Sequence, residues 1–104
     1  MPKPHKYKAK RTIVDSINFP SKLEARYYQK LKLRLQANDI KYFLRQVPLH
    51  LPANKKLVVD FMIAENDGSI RYVDTKGMIT PTSKLKIDMV EALYPLKIEI
   101  VKKV

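Results

Sequence analysis

Apolar and β-branched residues fill two runs near the middle of the chain, and a short polar turn separates them. The runs are residues 57–65 and 69–77, with an Asn-Asp-Gly turn at 66–68. This pattern is typical of a β-hairpin whose three-residue loop ends with a glycine in the left-handed conformation. Counting along the strands from such a loop sets Asp60 opposite Asp74.

Directly opposed residues share one face of a sheet, so this register predicts that Asp60 and Asp74 lie side by side. Side chains alternate along a strand, and Lys76 therefore lies on the same face next to Asp74. Burying two carboxylates and an ammonium is costly unless they are paired or bind a metal. A two-residue loop is the alternative; it would pair Phe61 with Asp74 and separate the carboxylates.

An apolar stripe at helical spacing predicts a first helix over residues 21–38. Ser21 is a natural N-cap, and Glu24 falls at the third helical position, which completes a capping box. The stripe consists of Leu23, Tyr27, Leu31 and Leu35.

The segments around this helix are expected to be extended. Residues 12–19 read as a short extended lead-in, and residues 40–47 predict a strand that stops at Pro48. Residues 49–56 contain a proline, an asparagine and two lysines, and they predict a loop that contacts phosphate.

A second helix is predicted to open at residues 80–82, and a last strand is predicted over residues 96–101. An apolar stripe at helical spacing predicts this helix, and Pro95 is expected to end it. The stripe consists of Leu85, Met89, Val90 and Leu93.

The predicted order is helix, three strands, helix, strand. The second helix lets the last strand run parallel to its neighbour through a right-handed crossover. The expected fold class is therefore α/β, a mixed four-stranded sheet flanked by helices. We expect one domain over residues 12–104, preceded by a basic flexible arm over residues 1–11.

Composition narrows the functional classes. The 104 residues include no cysteine, which excludes disulfides and cysteine-based zinc sites. No apolar run approaches the roughly 20 residues of a membrane span, so we expect a cytoplasmic protein with no membrane partner. The net charge of +11 indicates a polyanionic partner, most commonly nucleic acid.

Two groups of cations are candidates for phosphate contacts. The first is the N-terminal arm, and the second lies in the first turns of the second helix, where cations oppose the helix dipole. A solubilising tail and a solvated helix face are the respective alternatives. The candidates are Lys3, Lys6, Lys8, Lys10, Arg11, Lys84 and Lys86.

The central cluster suits hydrolysis of a phosphodiester. Mg²⁺ takes one or two carboxylates plus water and substrate phosphate, which Asp60 and Asp74 can provide together with the Thr75 carbonyl. A cation held there would polarise the phosphodiester and activate water, and Lys76 would orient that water and stabilise developing charge. The alternative is a buried structural ion pair with one extra acid.

Asp60, followed one hairpin later by Asp74-Thr75-Lys76, with Glu24 on a preceding helix, resembles the PD-(D/E)XK nuclease superfamily. The segments 21–25 and 72–77 further resemble small phage-encoded endonucleases with a Holliday-junction-resolvase-like fold. The likeness covers nearly the whole chain after the arm and implies a restriction-endonuclease-like αβββαβ core.

The resemblance also implies roles for single residues. Asp60 and Asp74 bind the metal, Lys76 is the motif lysine, and Glu24 reaches the metal through water. Gln46 lies where some relatives place a polar site residue. The chain departs from the motif at Val59, where a proline is usual, and at Asp74, where glutamate is commoner.

The function expected from these observations is a Mg²⁺-dependent endonuclease, with Mn²⁺ as a possible substitute. Its substrate would be branched or Holliday-junction DNA in phage-type recombination or replication, and a homodimer would match the symmetry of a junction. The alternative is a non-catalytic basic nucleic-acid-binding protein with a nuclease-like fold. RNA in place of DNA stays open.

Overall fold

The computed structural model describes residues 11–104. The prediction of a flexible basic arm, with Lys3, Lys6, Lys8 and Lys10, therefore lies outside the described residues, and Arg11 is exposed. The elements in chain order are β1 (Thr12–Val14), β2 (Ile17–Phe19), α1 (Lys22–Gln36), β3 (Ile40–Leu51), β4 (Lys55–Glu65), β5 (Ile70–Thr75), α2 (Pro81–Leu93) and β6 (Ile98–Val101).

The main sheet has four strands in the order β3-β4-β5-β6. Neighbouring strands are antiparallel from β3 to β5, and β6 runs parallel to β5 after the α2 connection. The predicted α/β class, with a mixed four-stranded sheet and two helices, is confirmed. No helix within residues 11–104 is long and apolar enough to cross a membrane.

The β4–β5 hairpin has the predicted three-residue loop. Gly68 has φ +91°, and its N–H donates to the Glu65 carbonyl at 3.0 Å. The Glu65 N–H in turn donates to the Ser69 carbonyl at 2.9 Å, which closes the loop. Phe61 pairs with Val73 in this hairpin. The next two residues along the strands, Asp60 and Asp74, therefore lie opposite each other, as predicted.

The prediction that the first strand stops at Pro48 is wrong. Strand β3 continues to Leu51, with Pro48 opposite Val58. Because β3 is the edge strand of the sheet, it needs hydrogen bonds on one side only and tolerates the missing N–H of proline. The predicted loop over residues 49–56 is correspondingly reduced to a tight connection at residues 52–54, where Ala53 and Asn54 have positive φ.

The extended lead-in over residues 12–19 is a small hairpin of its own. Strands β1 and β2 pair as a separate two-stranded sheet, with Val14 opposite Ile17. Asp15 and Ser16 form the turn with φ values of 52° and 64°, the backbone conformation that matches the twist of a two-residue hairpin.

The two helices cover different hydrophobic clusters. Helix α1 contributes Tyr27, Tyr28 and Leu31 to a cluster that includes Phe61. Helix α2 packs on the other cluster through its buried residues, Ile87 and Val90. Val59 belongs to the α2 cluster and Phe61 to the α1 cluster, so Asp60 lies on β4 at the point where the strand passes from one hydrophobic cluster to the other.

Parts of the predicted apolar stripes are exposed. On α2, Leu85 is 60% exposed and Leu93 is 57% exposed, whereas Ile87 takes the buried position that the predicted stripe left out. On α1, Leu35 is exposed and the buried face is rotated to include Glu24. The rest of the protein therefore buries fewer residues of each apolar stripe than the helical spacing predicts.

An ion-pair network ties α1 to the hairpin. Glu65 accepts hydrogen bonds from Arg34 Nη2 at 3.0 Å and from Arg71 Nη1 at 2.9 Å. Arg71 also donates to Glu99 at 2.7 and 2.9 Å. These bonds lower the pKa of Glu65 and of Glu99 and raise the pKa of Arg71.

This network predicts a component of acid sensitivity. A carboxyl whose pKa is lowered by folding stabilises the protein above its ordinary pKa, 4.5 for Glu65, and loses that contribution as the pH falls through the lowered value. We therefore expect Glu65→Gln to lower the free energy of unfolding at pH 7 by about 1 kcal/mol and to flatten its decline in acid. Urea unfolding at neutral and acidic pH measures both; the exposed Asp39→Asn serves as control, and an unchanged acid slope in Glu65→Gln would contradict the prediction.

Candidate functional site

Asp60 and Asp74 meet where the β4–β5 ladder ends. Asp74 Oδ1 accepts the backbone N–H of Asp60 at 3.1 Å, and Asp60 Oδ2 accepts the backbone N–H of Thr75 at 2.9 Å. The Thr75 hydroxyl donates a second bond to the same Asp60 oxygen at 2.7 Å. Each carboxylate is thus held by the strand that carries the other, and the pair is fixed in position.

Asp74 is one of two buried charged residues in the described chain; it is only 2% exposed and lies on a central strand. Burial raises the pKa of its carboxyl, and the nearby charge of Asp60 raises it further. The Lys76 ammonium lies 3.3 Å from Asp74 Oδ2 and offsets part of this cost. Apart from this ion pair, Oδ2 has no hydrogen-bond partner among residues 11–104.

Glu24 is buried on α1 with 2% exposure. Ser21 caps the helix as predicted, its hydroxyl accepting the Glu24 N–H at 3.1 Å. The Glu24 carboxylate, however, bonds to Gln46 Nε2 at 3.0 Å and Arg45 Nη2 at 3.3 Å. Burial and then the charge of Asp60 raise the pKa of Glu24, against these two bonds.

Gln46 connects Glu24 to Asp60. Its side-chain nitrogen donates to Glu24 Oε2 at 3.0 Å and lies 3.5 Å from Asp60 Oδ1, at the limit of a hydrogen bond. Gln46 also has φ +54° in the middle of β3, a conformation that costs a non-glycine residue energy. Such strain inside a regular strand is common at functional sites, where the surrounding structure holds it in place.

Two substitutions at position 46 separate the backbone from the amide. We expect Gln46→Gly to have a free energy of unfolding about 1 kcal/mol higher than that of Gln46→Ala, because only glycine adopts this φ without steric cost. Both variants lose the bond to Glu24. Chemical denaturation of the two proteins measures the difference, and equal stabilities would show that the backbone at this position is not strained in solution.

Arg45 is a residue of the site that sequence reasoning missed. Its guanidinium lies 4.4 Å from the ring centroid of the buried Phe19 and holds the Glu24 carboxylate. Its Nε is buried with no hydrogen-bond partner among residues 11–104. Arg45 stands in a predicted strand at a position where a solvent-exposed polar residue is common. Nothing in the sequence therefore indicates that it contacts Glu24.

The donor set fits a hard divalent cation bound by few protein ligands. No group of three or more His, Asp or Glu side chains in the described chain is close enough to hold a metal ion. Mg²⁺ needs only one or two carboxylates, however, and the carboxylates of Asp60 and Asp74 lie together here, with the Lys76 ammonium 3.3 Å from the buried Asp74 Oδ2. Arg45 and Gln46 both donate to one oxygen of Glu24, Oε2.

The two predicted helix lysines have different surroundings. Lys84 is 69% exposed on its side chain and pairs with Asp88 at 3.2 Å, as expected of a solvated face. Lys86 lines a groove of about 510 Å³ together with Lys76, Lys55 and Lys56. We call this surface, to which Thr82 and Ser83 contribute, the lysine groove. It connects Lys76 to the loop that was expected to contact phosphate.

Comparison with known proteins gives a family. The chain belongs to the family described as "Protein of unknown function (DUF1064)", whose model matches residues 4–104. No curated protein and no solved structure matches the chain.

Proposed function

We propose that this protein is a metal-dependent DNA endonuclease with a restriction-endonuclease-like core of the PD-(D/E)XK type. The observation that carries the proposal is the convergence of Asp60, Asp74 and Lys76 at the end of one ladder. Two acids beside one lysine, partly buried and close in space, are costly to a fold and are typical of a catalytic centre.

In this proposal Asp60 and Asp74 hold Mg²⁺, or Mn²⁺ in its place, and Thr75 contributes its carbonyl. The ion supplies Lewis-acid chemistry, polarising the phosphodiester and lowering the pKa of water. The Thr75 N–H and hydroxyl bonds to Asp60 Oδ2 orient that carboxylate before any ligand arrives. Burial and then the charge of Asp60 raise the pKa of Asp74, and a cation bound between the acids would relieve the second of these effects.

Lys76 and Glu24 act beside these acids. The Lys76 ammonium stabilises negative charge that develops on the phosphate and orients the attacking water, which displaces the 3′-oxygen in line and leaves a 5′-phosphate. Glu24 contributes through water, and Gln46 holds its carboxylate toward Asp60. The Glu24 side chain bonds to Arg45 and Gln46 instead of returning to the helix N-terminus, and this supports a role beyond capping.

The substrate class follows from charge. A net charge of +11 suits a nucleic-acid backbone, and the lysine groove extends from Lys76 with no acidic residue among its described lining. The resemblance to junction-resolving phage nucleases, and not the charge, leads us to propose branched or Holliday-junction DNA, handled in phage-type recombination or replication. Lys3, Lys6, Lys8, Lys10 and Arg11 are proposed to add phosphate contacts.

Junction cutting implies a homodimer, because two strands must be cut symmetrically. Equilibrium sedimentation with and without a four-way junction tests this part of the proposal. We expect a dimer at least in the presence of DNA. A monomer at high concentration under both conditions would contradict it.

The test of the activity is direct. Labelled four-way, flapped, single-stranded and linear DNA are incubated with the purified protein and Mg²⁺, Mn²⁺ or EDTA, and RNA of the same sequence is included. We expect cleavage of branched DNA with either metal and none in EDTA, and 5′-phosphate ends on the products. Binding without cleavage under every condition would refute the enzyme proposal.

The second candidate is a non-catalytic nucleic-acid-binding protein. It is favoured by the absence of any three-residue acidic or histidine metal cluster in residues 11–104, together with the large net charge. Its expected behaviour is binding that weakens steeply with salt and no metal-dependent cutting. The same assay distinguishes the two candidates.

A further inference from the structure

A second groove lies on the other side of the candidate site. It has a volume of about 810 Å³ and is bounded by the start of α1, the segment after β5 and the last residues of the described chain. Thr75, whose hydroxyl bonds to Asp60, is part of its wall. The groove therefore adjoins the proposed reaction centre, and we call it the C-terminal groove.

Four cations line the C-terminal groove, and no acidic residue is among its described lining. They are Lys22, Arg26, Lys102 and Lys103. None of the four forms an ion pair within residues 11–104, whereas Lys32, Arg34, Arg45, Arg71 and Lys84 all do. Unpaired cations gathered in one concave surface attract a polyanion.

The wall of this groove is also apolar, unlike a surface that contacts phosphate alone. Leu23, Met78 and Val104 line it between the cations, and Met78 is 64% exposed. The lysine groove is lined by two apolar residues as well, Leu57 and Val58, but Leu57 is buried. Its other lining residues include three lysines besides Lys76 and the hydroxyls of Thr82 and Ser83, which are suited to phosphate oxygens. None of the described lining residues of the C-terminal groove is aromatic, but the planar guanidinium of Arg26 suits stacking on an unpaired base, and the apolar side chains suit contact with a base turned toward the protein.

We propose that the C-terminal groove binds an unpaired DNA strand next to the cleaved bond, while the lysine groove holds the backbone of the adjoining duplex. This inference rests on DNA being the partner, as the proposed function assumes. It narrows the substrate from branched DNA in general to DNA with unpaired nucleotides beside the scissile phosphate.

Binding in EDTA tests the inference without relying on catalysis. The probes are a fluorescent blunt duplex, the same duplex with a short thymidine tail at either the 3′ or the 5′ end, and the same tails made of abasic phosphates. Thymidine and abasic tails carry equal charge, so any difference between them measures contact with bases. We expect a thymidine tail of one polarity to bind about 3- to 10-fold more tightly than its abasic counterpart.

Two variants locate that contact. Met78→Ala should remove the difference between thymidine and abasic tails and leave the affinity for blunt duplex unchanged. The control is Leu85→Ala, which removes an equally exposed apolar side chain that is not part of either groove lining. Lys102→Ala combined with Lys103→Ala should weaken both tailed probes to a similar extent, because it removes charge alone.

The outcomes separate this inference from the proposed function. Equal binding of thymidine and abasic tails, or equal effects of Met78→Ala and Leu85→Ala, would overturn the inference even if the protein cuts branched DNA. Base-dependent tail binding that requires Met78, found in a protein that cuts nothing, would support the groove assignment and refute the nuclease.

Discussion

Asp74→Asn is expected to abolish DNA cleavage, by about 10³-fold or more, while the folded protein becomes as stable as the wild type or about 1 kcal/mol more stable. Asparagine keeps the oxygen that accepts the Asp60 N–H, so the local strand geometry is retained. It removes a charge that is 2% exposed and repelled by Asp60. If the carboxylate serves catalysis, cleavage is therefore lost while the stability of the folded protein is kept or slightly increased.

The alternative reading of Asp74 predicts the reverse. If Asp74 and Lys76 were a structural ion pair, breaking it would cost several kcal/mol, on the order of 3–5. Urea unfolding of wild type and Asp74→Asn, together with the cleavage assay and a binding titration in EDTA, separates the two readings. A large loss of stability with cleavage retained would contradict the catalytic assignment.

The central hairpin could be predicted from sequence because its register depends on local chemistry. A glycine after Asn66 and Asp67 fixes the loop length, and the loop length fixes which residues oppose each other. The Asp60–Asp74 pairing therefore followed from residues within one short segment. The end of strand β3 could not be predicted in the same way. Proline is tolerated in an edge strand but not in a central one, and the position of a strand in the sheet is not a local property of its sequence.

Contacts between distant segments were the part that sequence could not supply. Arg45 looks like a solvent-facing residue of a strand, and Gln46 was expected at the site only through the resemblance. Both bond to Glu24, more than twenty positions earlier in the chain. The positive φ of Gln46 has no sequence signature, since glutamine is not a residue that favours it. The Asp15-Ser16 turn was missed for a related reason, because it lacks the glycine that usually marks a two-residue hairpin.

The same limit applies to the faces of the helices. Helical spacing identifies a set of apolar residues, but the sheet decides which of them it covers. Leu85 and Leu93 continue the periodic pattern of α2 and are exposed, while the buried positions are Ile87 and Val90. The two lysines of α2 that are candidates for DNA binding also differ in their surroundings, since Lys86 lies in the lysine groove and Lys84 pairs with Asp88.

Lys76→Ala is expected to lower the rate of cleavage by about 10²- to 10³-fold while leaving DNA affinity nearly unchanged. The ammonium lies 3.3 Å from Asp74 Oδ2 and its side chain is 25% exposed, so it faces both the acids and the lysine groove. If Lys76 only contacted phosphate, its loss would change the slope of log K against log salt concentration by about one. Such a change would weaken binding and would not lower the rate of cleavage by saturated protein.

Lys84→Ala is the matched control, because it removes the same side chain from a surface ion pair on α2. Single-turnover cleavage at saturating protein separates rate from affinity, and titrations at several salt concentrations measure the phosphate contact. If Lys76 served only to bind DNA, both variants would cut at the wild-type rate once saturated. If it served only to neutralise Asp74, Lys76→Ala would be less stable than the wild type, and adding Asp74→Asn would restore that stability. The catalytic role therefore requires that the rate at saturation fall in Lys76→Ala and not in Lys84→Ala.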